Sequence, residues 1–477
     1  MSKRNIKVLS LFLAIVCALS FGLSSAAFYK GGVVKELNPE ADEAKLDVKI
    51  KTIKKETVEG IFIDINGEEI TSYSEKGEAA ICNYPEAFSA LIGYNSKRMN
   101  VSSLRKRYGE YLYQPGKDGT GATIQLTLNA EIQQRCYDLL AGTIGSITII
   151  DAQTGAVICM ASRGDPNVGY NVNKIDDVYQ KNDDGSVIYY SDYYNSLKNA
   201  FYMNRCALAS DPPGSTAKII TATSLVENDM EENLNYCDNG KEHGIRNYGN
   251  KVYGETDIVK ALNNSINTYF AYAGLELGPR KLKKTFNGFM IGVPFDTDFG
   301  KINSTYQTSR SLTDFMLASN AFGQGELQVA PLHLAMASAA ILNDGTIMTP
   351  YMIYRIEDDG KVVYKGKPEV LNEATDKKSA NKVKELLHTN ADFYGLYGKT
   401  FDEDEAYIIA KTGTAQIKRN SEGKQYETHH IYYAMGLEIN NKKFGVCIDR
   451  ENADATGSTL KDTAIEVIQI LLNEYKD

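Results

Sequence analysis

A chain of 477 residues is too long for one ordinary hydrophobic core, and its length predicts two or three domains. Its composition, 43% apolar and 24% charged, is that of a globular protein. The net charge of −9, with no block of lysine and arginine, argues against a nucleic-acid partner.

The N-terminus predicts a membrane segment. Lys3, Arg4 and Lys7 precede an uncharged, largely apolar run over residues 8–28. As a helix, this run would span about 30 Å, the thickness of a bilayer core. The basic flank stays cytoplasmic by the positive-inside rule, so the rest of the chain is expected outside. A signal peptide cleaved at the small residues 25–27 is the alternative, but the length of the run fits an uncleaved anchor better.

Periodicity and turn residues predict the elements that follow a charged stalk over residues 30–55. The predicted helices are 130–140, 215–226, 257–277, 331–342 and 459–475. The predicted strands form hairpins at 58–71 and 146–160 and continue at 406–410, 431–438 and 443–449. Turn formers at 115–119 mark the best domain boundary. An early hairpin and late strands around a helical middle predict an α+β fold.

The cysteines give no metal or disulfide pattern. Six of the seven follow the apolar N-terminal run, and no two of them have the spacing of a zinc site. Pairing is an alternative for an exported protein. Their apolar neighbours instead predict buried free thiols at Cys82, Cys136, Cys159, Cys206, Cys237 and Cys447.

A serine followed three residues later by a lysine is the first candidate for chemistry. This string occurs at Ser103, Ser215, Ser379, Ser421 and Ser458. Only Ser215 follows a Pro-Gly turn and precedes an uncharged helix. The lysines around Ser379 instead predict a solvated helix face. Lys218 would lie on nearly the same helix face as Ser215 and within reach of its hydroxyl.

Two further strings complete an acyl-transfer site that needs no histidine, metal or cofactor. Ser265 and Asn267 stand in an unusually polar stretch of a helical pattern, where a helix break is the alternative reading. Lys411 begins a Lys-Thr-Gly-Thr string after an apolar strand. Ser215 would be the nucleophile and Lys218 its base, provided that burial and the charge of Lys411 lower the lysine's pKa.

The remaining roles follow from the same residue types. Ser265 can relay a proton to a leaving amine, and Asn267 can hold a substrate amide. Lys411, Thr412 and Thr414 can bind a carboxylate, and Gly413 lets a ligand approach the strand. The main-chain N–H groups of Ser215 and Thr414 can form an oxyanion hole.

With these strings in their order along the chain, the sequence resembles the penicillin-binding proteins. The likeness extends to the Gly-rich stretch 322–326, expected to pack beneath the site, and to a membrane-proximal motif at 59–67. That motif usually has arginine where this chain has Glu59 and Ile65, which puts the usual pedestal salt bridges in doubt. Ile266 replaces the commoner aspartate or cysteine between Ser265 and Asn267.

The resemblance implies a penicillin-binding transpeptidase fold, an antiparallel sheet sandwiched by helices, preceded by an elongated pedestal and one transmembrane helix. The implied domains are 1–28 (cytoplasmic tip and anchor), 29–120 (pedestal) and 121–477 (transpeptidase domain). The pedestal part is too short for a glycosyltransferase domain, which implies a monofunctional class B enzyme at the cell membrane with its catalytic domain outside.

The implied substrate is a peptidoglycan stem peptide ending in D-Ala-D-Ala, with β-lactam antibiotics as covalent ligands and a polytopic glycosyltransferase as a partner. A D,D-carboxypeptidase or a serine β-lactamase shares the three strings and is the first alternative. A non-catalytic β-lactam sensor or scaffold is the second, and the presence of both Lys218 and Lys411 argues against it.

Overall fold

A computed structural model describes residues 50, 54–197, 201–306, 312–398, 400–421 and 424–476. Over residues 418–421 and 424–426 the description is of the backbone alone. The predicted anchor at 8–28 lies outside the described residues, as does almost all of the stalk. Within the described residues, no helix is both long and apolar enough to cross a bilayer.

The described strands fall into one long-stranded sheet and several short ribbons. They are β1 (Phe62–Ile63), β2 (Thr71–Ser72), β3 (Ile81–Cys82), β4 (Asn95–Ser96), β5 (Asn100–Val101), β6 (Thr123–Leu126), β7 (Gly145–Asp151), β8 (Val157–Arg163), β9 (Val178–Lys181), β10 (Val187–Tyr189), β11 (Tyr236–Asp238), β12 (Lys241–Glu242), β13 (Ile245–Arg246), β14 (Gly254–Thr256), β15 (Phe295–Thr297), β16 (Gly300–Ile302), β17 (Thr346–Met348), β18 (Ile353–Asp358), β19 (Lys361–Lys365), β20 (Val370–Glu373), β21 (Tyr407–Ser421), β22 (Lys424–Ile439) and β23 (Lys442–Ala453).

The helices concentrate in the middle and at the end of the described chain. They are α1 (Ser89–Ile92), α2 (Ser103–Arg107), α3 (Gly109–Leu112), α4 (Ala130–Leu139), α5 (Tyr190–Ser196), α6 (Arg205–Leu208), α7 (Lys218–Val226), α8 (Ile258–Asn263), α9 (Asn267–Gly288), α10 (Asp314–Phe322), α11 (Pro331–Leu342), α12 (Lys377–Phe393) and α13 (Lys461–Tyr475).

The central sheet is antiparallel throughout, in the order β21-β22-β23-β7-β8. All twelve residues of α11 are buried, as expected of a helix that is apolar all round. A Cβ at Gly445 of β23 would lie 2.1 Å from the Ala335 carbonyl oxygen, so α11 lies directly on the sheet. The neighbouring Phe444 points to the opposite face and packs on Tyr475 of α13. The sheet is therefore sandwiched by helices, which confirms the predicted α+β arrangement.

Several predicted boundaries differ from the observed ones. The strands predicted at 406–410 and 431–438 are parts of the much longer β21 and β22. Their polar continuations lack a strand-like apolar pattern and are held by pairing with each other. The single helix predicted at 257–277 is two helices, α8 and α9, which break at Ser265 with a φ of +53°. The helix-break alternative is therefore the one that holds.

The hairpin predicted at 58–71 is confirmed only at its turn. Gly67 has a φ of +89°, and Ile63 forms a bridge with Glu69 across the turn. The main partner of β1 is β6, which it pairs in parallel, and β6 in turn pairs with β18. Residues more than 50 positions apart thus form this small sheet, and local sequence carries no signal for such pairing.

Glu59 forms a buried ion pair, although the absence of arginine at this position had put the usual pedestal salt bridges in doubt. Glu59 Oε1 lies 3.2 Å from Arg105 Nε, and both side chains are at most 3% exposed. Both also bind the backbone of Ala80, since Glu59 accepts its N–H at 2.9 Å and Arg105 donates to its carbonyl at 2.7 Å. A carboxylate at position 59 therefore takes part in an ion pair with an arginine from elsewhere in the chain.

Replacing Glu59 with alanine is expected to lower the free energy of unfolding by about 3–5 kcal/mol, because Arg105 would be left as an unpaired buried charge. The control is Glu56→Ala, which removes an ion pair with Lys76 whose side chains are 60–77% exposed and should cost about 0–1 kcal/mol. Urea denaturation measures both variants. Equal small losses would contradict a structural role for the buried pair.

The cysteine prediction is right for all but one residue. Cys82, Cys136, Cys159, Cys206 and Cys447 are free and buried, whereas Cys237 is free and exposed. Cys237 lies on the two-stranded ribbon of β11 and β14, which is too narrow to bury both of its faces.

Candidate active site

The turn that bears Ser215 rests on the edge strand of the central sheet. Residues Gly214–Ala217 form a 3₁₀ turn that continues into α7, whose nine residues are all buried. A Cβ at Gly214, which has a φ of +55°, would lie 2.6 Å from the Thr414 carbonyl carbon. A Cβ at Gly413 would lie 2.7 Å from the Pro213 carbonyl oxygen. Two glycines thus allow backbone contact between the turn and β21.

Lys218 lies beneath this turn with its side chain fully buried. Its Nζ donates to the Ser265 carbonyl oxygen and to Asn267 Oδ1, at 2.8 Å each, and lies 3.1 Å from Ser265 Oγ. The break between α8 and α9 makes this possible, because the left-handed backbone at Ser265 interrupts the helix opposite Lys218.

Lys411 approaches the same serine from the sheet. Its Nζ donates to Ser265 Oγ at 3.1 Å, to the Tyr394 hydroxyl at 3.0 Å and to the Thr412 carbonyl oxygen at 3.2 Å. The two lysines are therefore separated by a single hydroxyl group. The structure brings together Lys218, Ser265, Asn267 and Lys411 from sequence segments up to 193 residues apart (411 − 218).

The electrostatics of this pair favour a neutral Lys218. Burial, followed by the charge of Lys411, holds the pKa of Lys218 well below its usual range. A neutral amine donates twice and accepts once. The Ser265 carbonyl and Asn267 Oδ1 can only accept, so they take both N–H groups and leave the lone pair of the amine facing the Ser265 hydroxyl. The environment thus provides the lowered pKa that the base role requires.

The predicted contact between Ser215 and Lys218 is absent from this arrangement. Among the described residues, the Ser215 hydroxyl makes no hydrogen bond, and its side chain is only partly buried. Ser215, the predicted nucleophile, is therefore accessible from outside, while the two lysines are not. Hydrogen bonds to a nucleophile are often long in free enzymes and shorten when substrate binds.

The direction of the Thr414 N–H follows from the strand's alternation. The N–H groups of Ile408 and Thr412 donate away from β22, to the hydroxyls of Tyr397 and Tyr394. Because the side of a strand repeats every second residue, the Thr414 N–H points to the same open edge. At that edge, Thr414 lies next to the Gly214–Ser215 turn. The side-chain Oγ1 of Thr414 accepts the Gly457 N–H at 3.0 Å.

Asn267 has a different set of partners from the predicted one. Its Oδ1 accepts from Lys218, and its Nδ2 donates to the Arg246 carbonyl oxygen at 3.2 Å. A side-chain amide has two N–H donors, so one remains for a ligand. Asn267 therefore braces the buried lysine and keeps a single donor for a substrate amide.

The rival serine strings lie elsewhere. Ser379 is buried in the first turn of α12 and donates to Asp376 Oδ2 at 2.7 Å, so the prediction of a solvated face was wrong. Ser458 lies in the 3₁₀ turn Gly457–Leu460, and Ser103 begins α2. The Ser421 side chain is outside the described residues. The Lys411 partner set therefore belongs to the Ser215 string.

Tyr394 is the site residue that sequence reasoning missed. It follows α12 directly, and its hydroxyl contacts Lys411 Nζ and Thr412 Oγ1, the latter at 3.1 Å. No motif surrounds it, and tyrosine is common throughout this chain, with 31 residues. Only the packing of α12 against β21 brings it to the site.

The comparisons with known proteins identify the family of the chain. Residues 145–469 match the family described as the penicillin binding protein transpeptidase domain, and the chain therefore belongs to this family. The chain is also similar to the peptidoglycan D,D-transpeptidase MrdA of Haemophilus influenzae, with 25% identity over 381 residues, which are 74% of this chain and 57% of that protein. This chain thus spans little more than half the length of that relative.

Solved structures show the same fold. The D,D-transpeptidase domain of a peptidoglycan glycosyltransferase from Eggerthella lenta superposes with a TM-score of 0.73 at 23% identity, covering 88% of this chain and 99% of that one. Penicillin-binding protein A of Mycobacterium tuberculosis, as its ceftriaxone acyl-enzyme, gives a TM-score of 0.72 at 20% identity with the same coverage. The predicted penicillin-binding transpeptidase fold is confirmed.

Proposed function

We propose that the chain is a peptidoglycan D,D-transpeptidase that forms an acyl-enzyme on Ser215. The observation that carries the proposal is the accessible serine beside two buried lysines that share the Ser265 hydroxyl. The name of the Haemophilus influenzae relative supports the same activity. The acyl-enzyme of the Mycobacterium tuberculosis protein supports covalent capture of β-lactams.

Acylation begins with attack of Ser215 Oγ on the carbonyl carbon of a stem peptide that ends in D-Ala-D-Ala. Neutral Lys218 takes the hydroxyl proton. The C–N bond to the terminal D-alanine breaks, and its amine leaves with a proton passed through Ser265. An amine from a neighbouring stem then attacks the ester carbonyl, which forms the cross-link and returns the proton to Ser215.

The strand supplies the binding groups. Lys411 and the hydroxyls of Thr412 and Thr414 hold the terminal carboxylate, because a cation flanked by donors binds a carboxylate well. The N–H groups of Ser215 and Thr414 stabilise the oxyanion of the tetrahedral intermediate. Gly413 lets the turn that bears Ser215 pack directly on the strand, because a side chain there would collide with Pro213 and Thr216.

We propose the same domain organisation as the sequence predicts, with a cytoplasmic tip and anchor at 1–28, a pedestal at 29–120 and the transpeptidase domain at 121–477. The elements β2 to β5 and α1 to α3 are at most five residues long, which sets the pedestal part apart from the long-stranded central sheet. The protein would then be a single-pass class B enzyme that acts outside the membrane beside a polytopic glycosyltransferase.

Mass spectrometry of the extracytoplasmic part after incubation with benzylpenicillin tests the proposal. We expect a stable mass increase equal to one benzylpenicillin, located by peptide mapping on Ser215. The peptides with Ser103, Ser379, Ser421 and Ser458 should remain unmodified and serve as internal controls.

Three other outcomes have a defined meaning. The absence of an adduct on a folded protein overturns the proposal. Rapid release of hydrolysed drug would show that water finishes the reaction, which favours a β-lactamase. With a stem pentapeptide, loss of D-alanine without cross-linking to an added amine would favour a carboxypeptidase.

A further inference from the structure

Side chains of α12 and of the turn after it cover part of the outer edge of β21. The hydroxyl of Tyr397 accepts the Ile408 N–H, Asn390 Nδ2 donates to the Ala410 carbonyl oxygen at 2.7 Å, and the Tyr394 hydroxyl accepts the Thr412 N–H at 3.4 Å. An uncovered edge strand would leave these groups open to pairing with any extended peptide. The side-chain cover reaches Thr412, and the Thr414 N–H stays open.

Tyr394 is the last member of this series and the one that contacts the site. A phenol has two acceptor lone pairs and one O–H donor. Its lone pairs take the N–H groups of Lys411 and Thr412, so its own O–H is left to donate to Thr412 Oγ1, 3.1 Å away. The Thr412 hydroxyl hydrogen is then free to point at a ligand.

We propose that Tyr394 is a positioning residue that holds the Lys411 ammonium and orients the Thr412 hydroxyl for a ligand carboxylate. This inference rests on the proposed function. Tyr394 acts at the end of a continuous hydrogen-bonded series, in which Tyr394, Lys411, Ser265 and Lys218 are joined at 3.0, 3.1 and 3.1 Å.

The series also sets the polar surroundings of the two lysines. Tyr394 supplies an acceptor to Lys411, whereas Lys218 faces Lys411 across Ser265. The other titratable side chain beside Tyr394, among the described residues, is Tyr433 of β22, whose ring lies 6.2 Å away. Burial raises the pKa of Tyr394, but the charge and hydrogen bond of Lys411 outweigh it, so its pKa lies below the usual value.

Removing the Tyr394 hydroxyl should therefore weaken the binding of a ligand carboxylate. Lys411 would lose an acceptor, and Thr412 would lose the donor that orients its hydroxyl. A residue with only a structural role would lower the acylation rate equally for ligands with and without a carboxylate.

The test compares Tyr394→Phe with Tyr433→Phe. The control removes a hydroxyl from a buried tyrosine whose OH has no hydrogen-bond partner among the described residues. The second-order rate constant for acylation by benzylpenicillin is measured for both variants and the wild type. We expect Tyr394→Phe to lose about 10- to 100-fold, the range for a hydrogen bond to a charged group. Tyr433→Phe should match the wild type.

A ligand pair makes the result independent of the folded fraction. Benzylpenicillin and its methyl ester differ only in the carboxylate, and the ratio of their rate constants cancels the concentration of active protein. We expect this ratio to fall about tenfold in Tyr394→Phe and to stay unchanged in Tyr433→Phe. An unchanged ratio would overturn the inference, whereas failure of the wild type to be acylated would instead overturn the proposed function.

Discussion

Lys218→Ala is expected to slow the acylation of Ser215 by benzylpenicillin about 10³-fold or more, because it removes the general base. The fully buried Lys218 amine has a lowered pKa and lies 3.1 Å from Ser265 Oγ, which suits it to the role of base. In the wild type, the rate should rise with pH through this lowered pKa, at values well below the usual 10.5 of lysine.

The thermal unfolding midpoint of Lys218→Ala should change little, because two effects oppose each other. The substitution leaves a cavity and the unpaired acceptors of Ser265 and Asn267, which destabilises the fold. It also removes a desolvated amine. Unfolded lysine stays protonated up to about pH 10.4, so below that pH the wild type must give up a proton or bury a charge in order to fold.

The pH dependence of the free energy of unfolding tests this explanation. The electrostatic cost of Lys218 is full below its lowered folded-state pKa and disappears as the pH approaches about 10.4. The stability of the wild type relative to Lys218→Ala should therefore increase with pH across that window, as measured by urea denaturation at several pH values.

The matched control is Lys260→Ala. Lys260 also donates to two backbone carbonyls, at 2.7 Å each, but it lies on α8 away from the nucleophile. Its acylation rate should stay near that of the wild type. Wild-type acylation by a folded Lys218→Ala protein would remove Lys218 from the mechanism.

Gly323→Ala is expected to destabilise the protein by about 3 kcal/mol or more and to abolish acylation. Gly323 ends α10 with a φ of +93°, where an L-residue is strained. A Cβ there would lie 1.7 Å from the Gly214 carbonyl oxygen, and the Gly323 carbonyl also accepts the Gly214 N–H at 2.9 Å. The residue next to Ser215 would have to move.

Gly325→Ala separates the clash from the backbone strain. Gly325 has a similar φ of +82°, but the nearest atom to its added Cβ would be Ser319 Cβ at 3.4 Å, an ordinary contact. It should cost about 1–2 kcal/mol and leave acylation of the folded protein intact. Acylation rates and urea denaturation measure both variants. Equal effects of the two substitutions would show that the contact with Gly214 does not support the nucleophile.

The sequence correctly predicted the helices and the hairpin whose ends depend on residues close together in the chain. The predicted helix at 331–342 coincides with α11, because Pro331 begins it and the Asn-Asp-Gly turn ends it. The helix at 130–140 and the hairpin at 146–160 are also confirmed, to within a few residues. Each depends on a periodicity and a turn within about 15 residues of sequence.

Features that depend on distant partners were not predictable in this way. The length of β21 and β22 comes from their mutual pairing, and β1 pairs with β6 across about 60 residues. The partner of Glu59 is set by how α2 folds back. In each case the interaction energy is local in space but not in sequence, so no pattern in a short window reveals it.

The same division applies to the candidate site. The sequence by itself was enough to predict the candidate residues Ser215, Lys218, Ser265 and Lys411, because their strings and neighbours can be recognised along the chain. Tertiary structure alone decided that the two lysines share one hydroxyl, that Ser215 is accessible above them, and that Tyr394 contacts Lys411. Burial and mutual charge lower the pKa of Lys218, and both exist only after the helices have packed against the edge of the sheet.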